Sequence, residues 1–190
     1  MESETNQELA FQTERLLIKL LDPTSIPQVI EYFDRNKENF LVSLAEYPPD
    51  FFTELFQTEK FWKEFQLLTE GVAVRFYIFY KEDFFYKKII GDISISNILR
   101  GGFQSCNIGC RIDSDESKKG LMTEAFSEII KFIFNDMKLH RIEADILPTN
   151  IASKRLVEKL GFVQEGISRG FMRLNNKWQD HEKYSLINSD

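Results

Sequence analysis

Asp113-Ser114-Asp115-Glu116-Ser117-Lys118-Lys119-Gly120-Leu121-Met122-Thr123-Glu124-Ala125 joins two segments of different periodicity. Before it, Phe103 to Ile112 reads as a strand. After it, Met122, Phe126, Ile129, Ile130, Ile133 and Met137 recur at helical spacing, which predicts an amphipathic helix of about four turns. Asn107 to Phe134 is therefore strand, turn and helix in succession. A helix start leaves several N–H groups without intrahelical acceptors and carries partial positive charge, so it suits a phosphate. Gly120 lets a diphosphate approach the backbone closely. Lys118 and Lys119 add positive charge within reach, although paired loop lysines are also ordinary solvated surface.

Upstream, Thr13 to Leu20 reads as a first strand ended by Asp22-Pro23, with a helix following from about Ser25 to Arg35. Pro48-Pro49-Asp50 breaks the chain, and Asp50 is available as the N-cap of a second helix. Phe51, Leu55, Trp62 and Phe65 mark one face of that helix, expected in the core, with its edge as an alternative wall for an acceptor groove. Val72 to Tyr80 and Ile89 to Ile98, separated by the charged Lys81 to Lys88, form a hairpin, and Gly101-Gly102 turns the chain into Phe103 to Ile112.

Downstream, Arg141 to Leu147 alternates charged Arg141, Glu143 and Asp145 with apolar Ile142, Ala144 and Ile146, a strand stopped by Pro148. Ile151 to Leu160 is a short helix ending at Gly161, a natural residue just past a helix end. Phe162 to Ile187 holds two strands around Asn175-Asn176. The order is strand, two helices, three strands, helix, strand, helix, two strands, an α/β (α+β) arrangement. No repeat, low-complexity tract or Pro/Gly-rich linker divides it, so residues 1–190 are expected to form a single domain.

The chain has 190 residues, 43% of them hydrophobic and 28% charged, which fits a soluble globular protein. Met1 to Glu8 is acidic and polar, unlike a signal peptide, and no apolar run approaches membrane-spanning length, so a cytoplasmic protein without a membrane partner is expected. The net charge of −6 argues against a nucleic-acid partner and mildly favours cationic acceptors. Cys106 and Cys110, four apart, have neither zinc nor dithiol spacing and read as small apolar residues on one strand face. His140 and His181 lack ligand spacing, so no metal is implied. Gly166-Ile167-Ser168-Arg169-Gly170 matches the hydrolase elbow pattern, but a strand-like run follows it where an elbow needs a helix, and adjacent Asp180 and His181 would point to opposite faces.

Three further strings follow the Gly120 turn in order: Leu139-His140-Arg141-Ile142-Glu143-Ala144, Pro148-Thr149-Asn150-Ile151-Ala152-Ser153, and Glu158-Lys159-Leu160-Gly161-Phe162-Val163-Gln164-Glu165-Gly166. With these the sequence resembles the GNAT superfamily of N-acetyltransferases. It is most similar to the branch that acetylates ribosomal-protein N-termini (RimJ/RimL-like), which also opens with Thr-Glu-Arg-Leu, here Thr13 to Leu16, and closes with Trp-x-Asp, here Trp178 to Asp180. The resemblance spans about Thr13 to Ile187.

It implies the GNAT fold: a mixed, mostly antiparallel sheet of about seven strands, splayed between the fourth and fifth (here Phe103 to Ile112 and Arg141 to Leu147), flanked by about four helices. It also implies acetyl-CoA as co-substrate and an amine acceptor, either a protein N-terminus or a small amine such as a polyamine or aminoglycoside. A homodimer is common in the family, and a non-catalytic acyl-CoA sensor is the reading from a different class. By position, the pyrophosphate loop falls on Ser117, Lys118, Lys119, Gly120, Leu121 and Met122, running into Thr123. Backbone groups around Ile108, Cys110 and Ile112 would pair with the pantetheine amides, with Asn150 contacting the same arm and Ser153 near the sulfur. Ser117, Lys118 and Met122 are not the residues that loop usually carries.

The implied reaction is direct attack of a neutral amine on the thioester, with a backbone N–H steadying the oxyanion. An α-amine of pKa near 8 is roughly a tenth neutral at pH 7, a lysine only about 0.04%. Where many relatives place a Tyr to protonate the leaving thiolate, this chain has Val157, which makes Ser153 the candidate donor. Glu143, flanking the gap, is the candidate base. The acidic residue that many relatives carry in the sixth strand is missing from Phe171-Met172-Arg173.

Overall fold

The computed structural model describes residues 9–41, 48–174 and 176–189. Eight strands run in chain order: β1 (Ala10–Gln12), β2 (Leu16–Lys19), β3 (Val74–Tyr80), β4 (Gly91–Leu99), β5 (Ser105–Ile112), β6 (Arg141–Ile146), β7 (Val163–Leu174) and β8 (Lys177–Ile187). Five α-helices accompany them: α1 (Ile26–Arg35), α2 (Lys37–Leu41), α3 (Glu54–Thr69), α4 (Leu121–Asn135) and α5 (Ile151–Lys159). The sheet order is β1-β2-β3-β4-β5-β6-β8-β7. Every neighbouring pair is antiparallel except β5 and β6. The expected mixed, mostly antiparallel sheet is therefore present, with eight strands rather than seven and five helices rather than four.

The additional strand comes from the chain start, where Thr13 to Arg15 form a turn and not the head of a strand. The Thr13 hydroxyl accepts from Leu16 N–H at 3.0 Å and donates to Glu124 of α4 at 2.5 Å. Local side-chain bonds of this kind divert Thr from the ladder.

Period-2 alternation gives the sheet two apolar faces. Leu16, Ile18, Phe76, Ile78, Ile93, Ile95, Cys106, Ile108, Ile142 and Ala144 share a core with the α4 stripe Leu121, Ala125, Phe126, Ile129 and Ile133. On the other face, Tyr77 and Phe79 pack with Val29, Tyr32 and Phe33 of α1, with Phe40 and with Phe51.

α3 departs from its sequence reading in two ways. Its N-cap is Thr53, whose hydroxyl accepts from Phe56 N–H at 3.2 Å. Asp50 stands a turn too early, and only its backbone carbonyl takes part, accepting from the Thr53 hydroxyl at 2.7 Å. The expected apolar face is not in the core either: Phe51 is buried, but Leu55, Trp62 and Phe65 are 71%, 55% and 48% exposed. The inward face carries Gln57, Lys60, Phe61, Glu64 and Leu68, which with Trp62 and Phe65 at the rim line a cavity of about 300 Å³. The helix turns this polar stripe inward because Glu64 pairs with Arg75 of β3 at 2.9 Å.

Cys106 and Cys110 lie on one strand face as expected, and burial pushes both thiols up to about 12. Gly166 to Gly170 lies wholly inside β7, so no elbow exists there. Asn176 of the final turn has φ +61°, while Asn175 lies outside the described residues, as do Met1 to Glu8. No helix among the described residues is long and apolar enough to cross a membrane.

Candidate active site

β5 and β6 pair in parallel at only three positions, Ser105 with Arg141, Cys106 with Ile142 and Asn107 with Glu143. Beyond them each strand keeps its outer partner, β5 pairing with β4 to Ile112 and β6 pairing with β8 to Ile146. The two strands thus diverge and open a cavity of about 360 Å³ through the sheet. From β5, Ile108, Gly109, Cys110 and Arg111 line it; from β6, Ala144, Asp145 and Ile146. Asn150, Ser153 and Val157 of the following helix close one side, and Met172 and His181 contribute from β7 and β8.

Several residues singled out in the sequence therefore meet in this cavity: Ile108, Cys110, Asn150 and Ser153. Asn150 is the N-cap of α5, its Oδ1 accepting from Ser153 N–H at 3.1 Å. That assigns the cap to Asn150 and leaves the Ser153 hydroxyl with no capping duty. Val157 also faces the cavity, so the missing Tyr would have pointed there.

The loop preceding α4 is a separate feature. Gly120 is the N-cap residue with φ +78°, a left-handed conformation that glycine adopts without strain. A Cβ there would meet only Arg15 Nη2, at 3.7 Å, so the loop surface is open. Ser117, Lys118 and Lys119 are exposed, and Lys118 also has positive φ, +62°. Leu121 and Met122 are buried in the core, so they offer a ligand their backbone and not their side chains. Thr123 is half-buried within the first turn and Ile112 ends β5. Lys119 is held by Glu116 at 2.8 Å, and Glu116 also accepts from the Tyr80 hydroxyl at 2.5 Å.

The opening Thr-Glu-Arg-Leu motif reaches this same loop. Arg15 donates through N–H and Nε to Glu124, at 2.9 and 2.7 Å, and through Nη1 to the Lys119 carbonyl at 3.1 Å. A guanidinium thus stands beside Gly120, placed by residues more than a hundred positions apart.

Glu143 is located at the closed end of the gap, in the last β5–β6 pair. Its oxygens accept from Arg141 Nε at 2.6 Å and Lys183 Nζ at 3.3 Å. Burial raises its pKa, but those two cations outweigh burial and hold it below the ordinary value. It is not among the residues lining the cavity.

Two carboxylates that do line it were not singled out in the sequence. Asp92 accepts from Arg111 at 2.8 and 2.7 Å, from Arg75 at 2.5 Å and from the Tyr32 hydroxyl at 3.0 Å. Burial opposes its charge, yet Arg111 and Arg75 hold its pKa down at about 2. Asp145 has one hydrogen bond, from Asn107 Nδ2 to Oδ2 at 2.9 Å, and its Oδ1 is buried without a partner. Burial raises its pKa; Lys183 and His181 pull it back, and Glu143 adds to the rise. In the sequence it is one of the charged positions that alternate with Ile142, Ala144 and Ile146. The available signal was its place on a strand bordering the gap.

His181 is buried, makes a tilted ring contact with Phe171 at 5.3 Å between centroids and has Nδ1 3.3 Å from the Gln179 carbonyl. Among the described residues no group of three or more His, Cys, Asp or Glu forms a metal cluster.

A domain model described as "Acetyltransferase (GNAT) domain" matches residues 15–163. The Bacillus subtilis (strain 168) "Probable N-acetyltransferase YjcK" is 31% identical over 175 residues, covering 92% of this chain and 95% of its own. The ribosomal protein uS5-alanine N-acetyltransferase of Escherichia coli (strain K12) is 29% identical over 185 residues, 94% of this chain and 90% of its own. The structure of the ribosomal-protein-S5-alanine acetyltransferase from Vibrio fischeri superposes with a TM-score of 0.88 at 30% identity, covering 96% of this chain and 98% of that one. A sheet opened between β5 and β6, a glycine-led start to α4 and these similarities over nearly the whole length agree: the chain belongs to the GNAT acetyltransferase family of N-acetyltransferases, enzymes that draw their acyl group from acetyl-CoA.

Proposed function

We propose that the protein transfers the acetyl group of acetyl-CoA directly to the α-amine at a protein N-terminus, most plainly that of a ribosomal protein. The observation that carries this reading is the gap between β5 and β6, which brings Asn150 and Ser153 against Ile108 and Cys110. The names of the E. coli and V. fischeri relatives support the acceptor class.

In this reading the backbone from Ser117 to Thr123 holds the pyrophosphate. The open surface at Gly120 and the unpaired N–H groups at the start of the 15-residue α4 suit a diphosphate. Arg15 adds a positive charge that the loop's own Lys119, engaged with Glu116, supplies less directly. The pantetheine arm lies along Ile108, Cys110 and Ile112, with Asn150 beside it. Ser153 donates to the departing sulfur, its hydroxyl being spared from capping.

The test is calorimetry with acetyl-CoA, followed by turnover on peptides with free N-termini and on a panel of polyamines and aminoglycosides. Gly120→Glu puts a side chain on a left-handed residue and a negative charge at the phosphate site. It should weaken acetyl-CoA binding by about tenfold or more, the equivalent of about 1.4 kcal/mol. Undiminished binding in that variant, or none in the wild type, would remove the assignment of the loop. Turnover of the amine panel but not of peptides would move the acceptor to a small molecule.

A further inference from the structure

Resting on acetyl transfer in this gap, one group has chemistry still to be assigned. We propose that Asp145 is a catalytic residue: its Oδ1 receives the ammonium of the acceptor and takes the proton that must leave before nitrogen attacks the thioester.

Asp145 Oδ1 is the buried side-chain oxygen or nitrogen that lacks a hydrogen-bond partner among the described residues. An oxygen in that state is costly and calls for a ligand or a function. Asp145 is among the residues that line the cavity, together with Asn150 and Ser153. The carboxyl is aimed, since Oδ2 accepts from Asn107 at 2.9 Å and Asn107 Oδ1 in turn accepts from Asn97 at 3.2 Å. An ammonium would supply the missing donor and the missing positive charge together.

The other charged groups around the gap are engaged elsewhere. On β8, Lys183 is the register partner of Asp145 but turns to Glu143 at 3.3 Å, and His181 holds the Gln179 carbonyl. On β6, Glu143 is paired with Arg141 and Lys183. On β3, β4 and β5, Arg75, Asp92 and Arg111 saturate one another. From β7 the cavity receives Met172, a thioether with no proton to exchange. Burial lifts the Asp145 pKa above the ordinary carboxylate value, the direction that makes a carboxylate a better proton acceptor.

The step balances. The ammonium gives one proton to Asp145 Oδ1, and the freed lone pair forms the C–N bond at the thioester carbon. The C–S bond breaks with its electron pair going to sulfur. The second nitrogen proton ends on that thiolate, giving amide and thiol, and Asp145 returns its proton to solvent.

The experiment compares wild type and Asp145→Asn with acetyl-CoA and peptides of differing amine pKa. Expected for the variant are a kcat/KM lower by about 10²-fold or more, an acetyl-CoA Kd within about twofold, and loss of the carboxylate inflection from the acid limb. Its Tm should not fall at pH 7, because a neutral amide removes the cost of a buried unpaired charge. Unchanged turnover and pH profile in Asp145→Asn overturns the proposal, as does an inflection kept there but lost in His181→Gln. The wild-type profile gives a second reading without any variant. An acid limb that follows only the amine's own pKa from peptide to peptide also overturns it. A wild type that binds acetyl-CoA and acetylates peptides keeps the proposed function standing whichever way Asp145 falls; one that does neither removes both.

Discussion

Asp92 and Asp145 line the same opening in the same sheet and have opposite fates. Asp92 is 1% exposed and collects two guanidinium groups and a phenol. Asp145 has one amide on one oxygen and no partner on the other. Burial disfavours the charge of both. Partners outweigh it at Asp92 and fail to at Asp145, so one pKa goes down to about 2 and the other goes up. A carboxylate whose bonding is complete holds β3, β4 and β5 together; one left incomplete is available to a ligand.

The strongest way to break the contrast is to neutralise Asp92. Asp92→Asn leaves Arg111 and half of Arg75 without a counter-charge in a buried site, and should cost about 3–5 kcal/mol in denaturant unfolding. Asp145→Asn, a chemically identical change, should leave unfolding unaffected or more favourable to the folded state. Equal losses at the two positions would mean that both carboxylates are structural.

Acid sharpens the same contrast. The Asp92 pKa is depressed on folding, so the stability it contributes is present above the unfolded value of 3.8 and is lost as pH falls toward about 2. Asp145 has a raised pKa, so its contribution runs the other way, being present at low pH and lost as pH rises through the folded value. Wild-type unfolding followed from pH 5 to pH 2 should show the loss due to Asp92, and Asp92→Asn should lack it.

The smallest expected effect comes from the neighbour that aims Asp145. Asn107→Leu removes the hydrogen bond to Oδ2, which lowers the Asp145 pKa. The acid limb of kcat/KM should move to higher pH by somewhat less than about one unit, the worth of one hydrogen bond of about 1 kcal/mol. A limb that stays in place would show that Asn107 does not tune the carboxyl.

α4, the hairpin of β3 and β4, and the alternation of β6 were legible because each is a periodicity within one short segment, and local burial obeys it. α3 was not, since its inward face is chosen by Glu64 meeting Arg75 and not by where its aromatic residues fall. The cap at Thr53 was missed for a smaller reason: Pro48-Pro49-Asp50 marks a break correctly, but the helix begins four residues after Asp50. In the site, Asn150 and Ser153 could be found because they sit three apart at one helix start. Asp145 could not, because strand alternation says which face a side chain takes and not whether that face is open to water or to an enclosed gap.

The sequence by itself determined the order of elements, the glycine-led start of α4 and the family, all of which depend on residues close together in the chain. Only the tertiary structure decided which carboxylate would be satisfied. Asp92 meets Arg75 and Arg111 across neighbouring antiparallel strands. Asp145 lies just past the last β5–β6 pair, where the strands part: Asn107 of that pair reaches its Oδ2, and Oδ1 is left without a partner among the described residues.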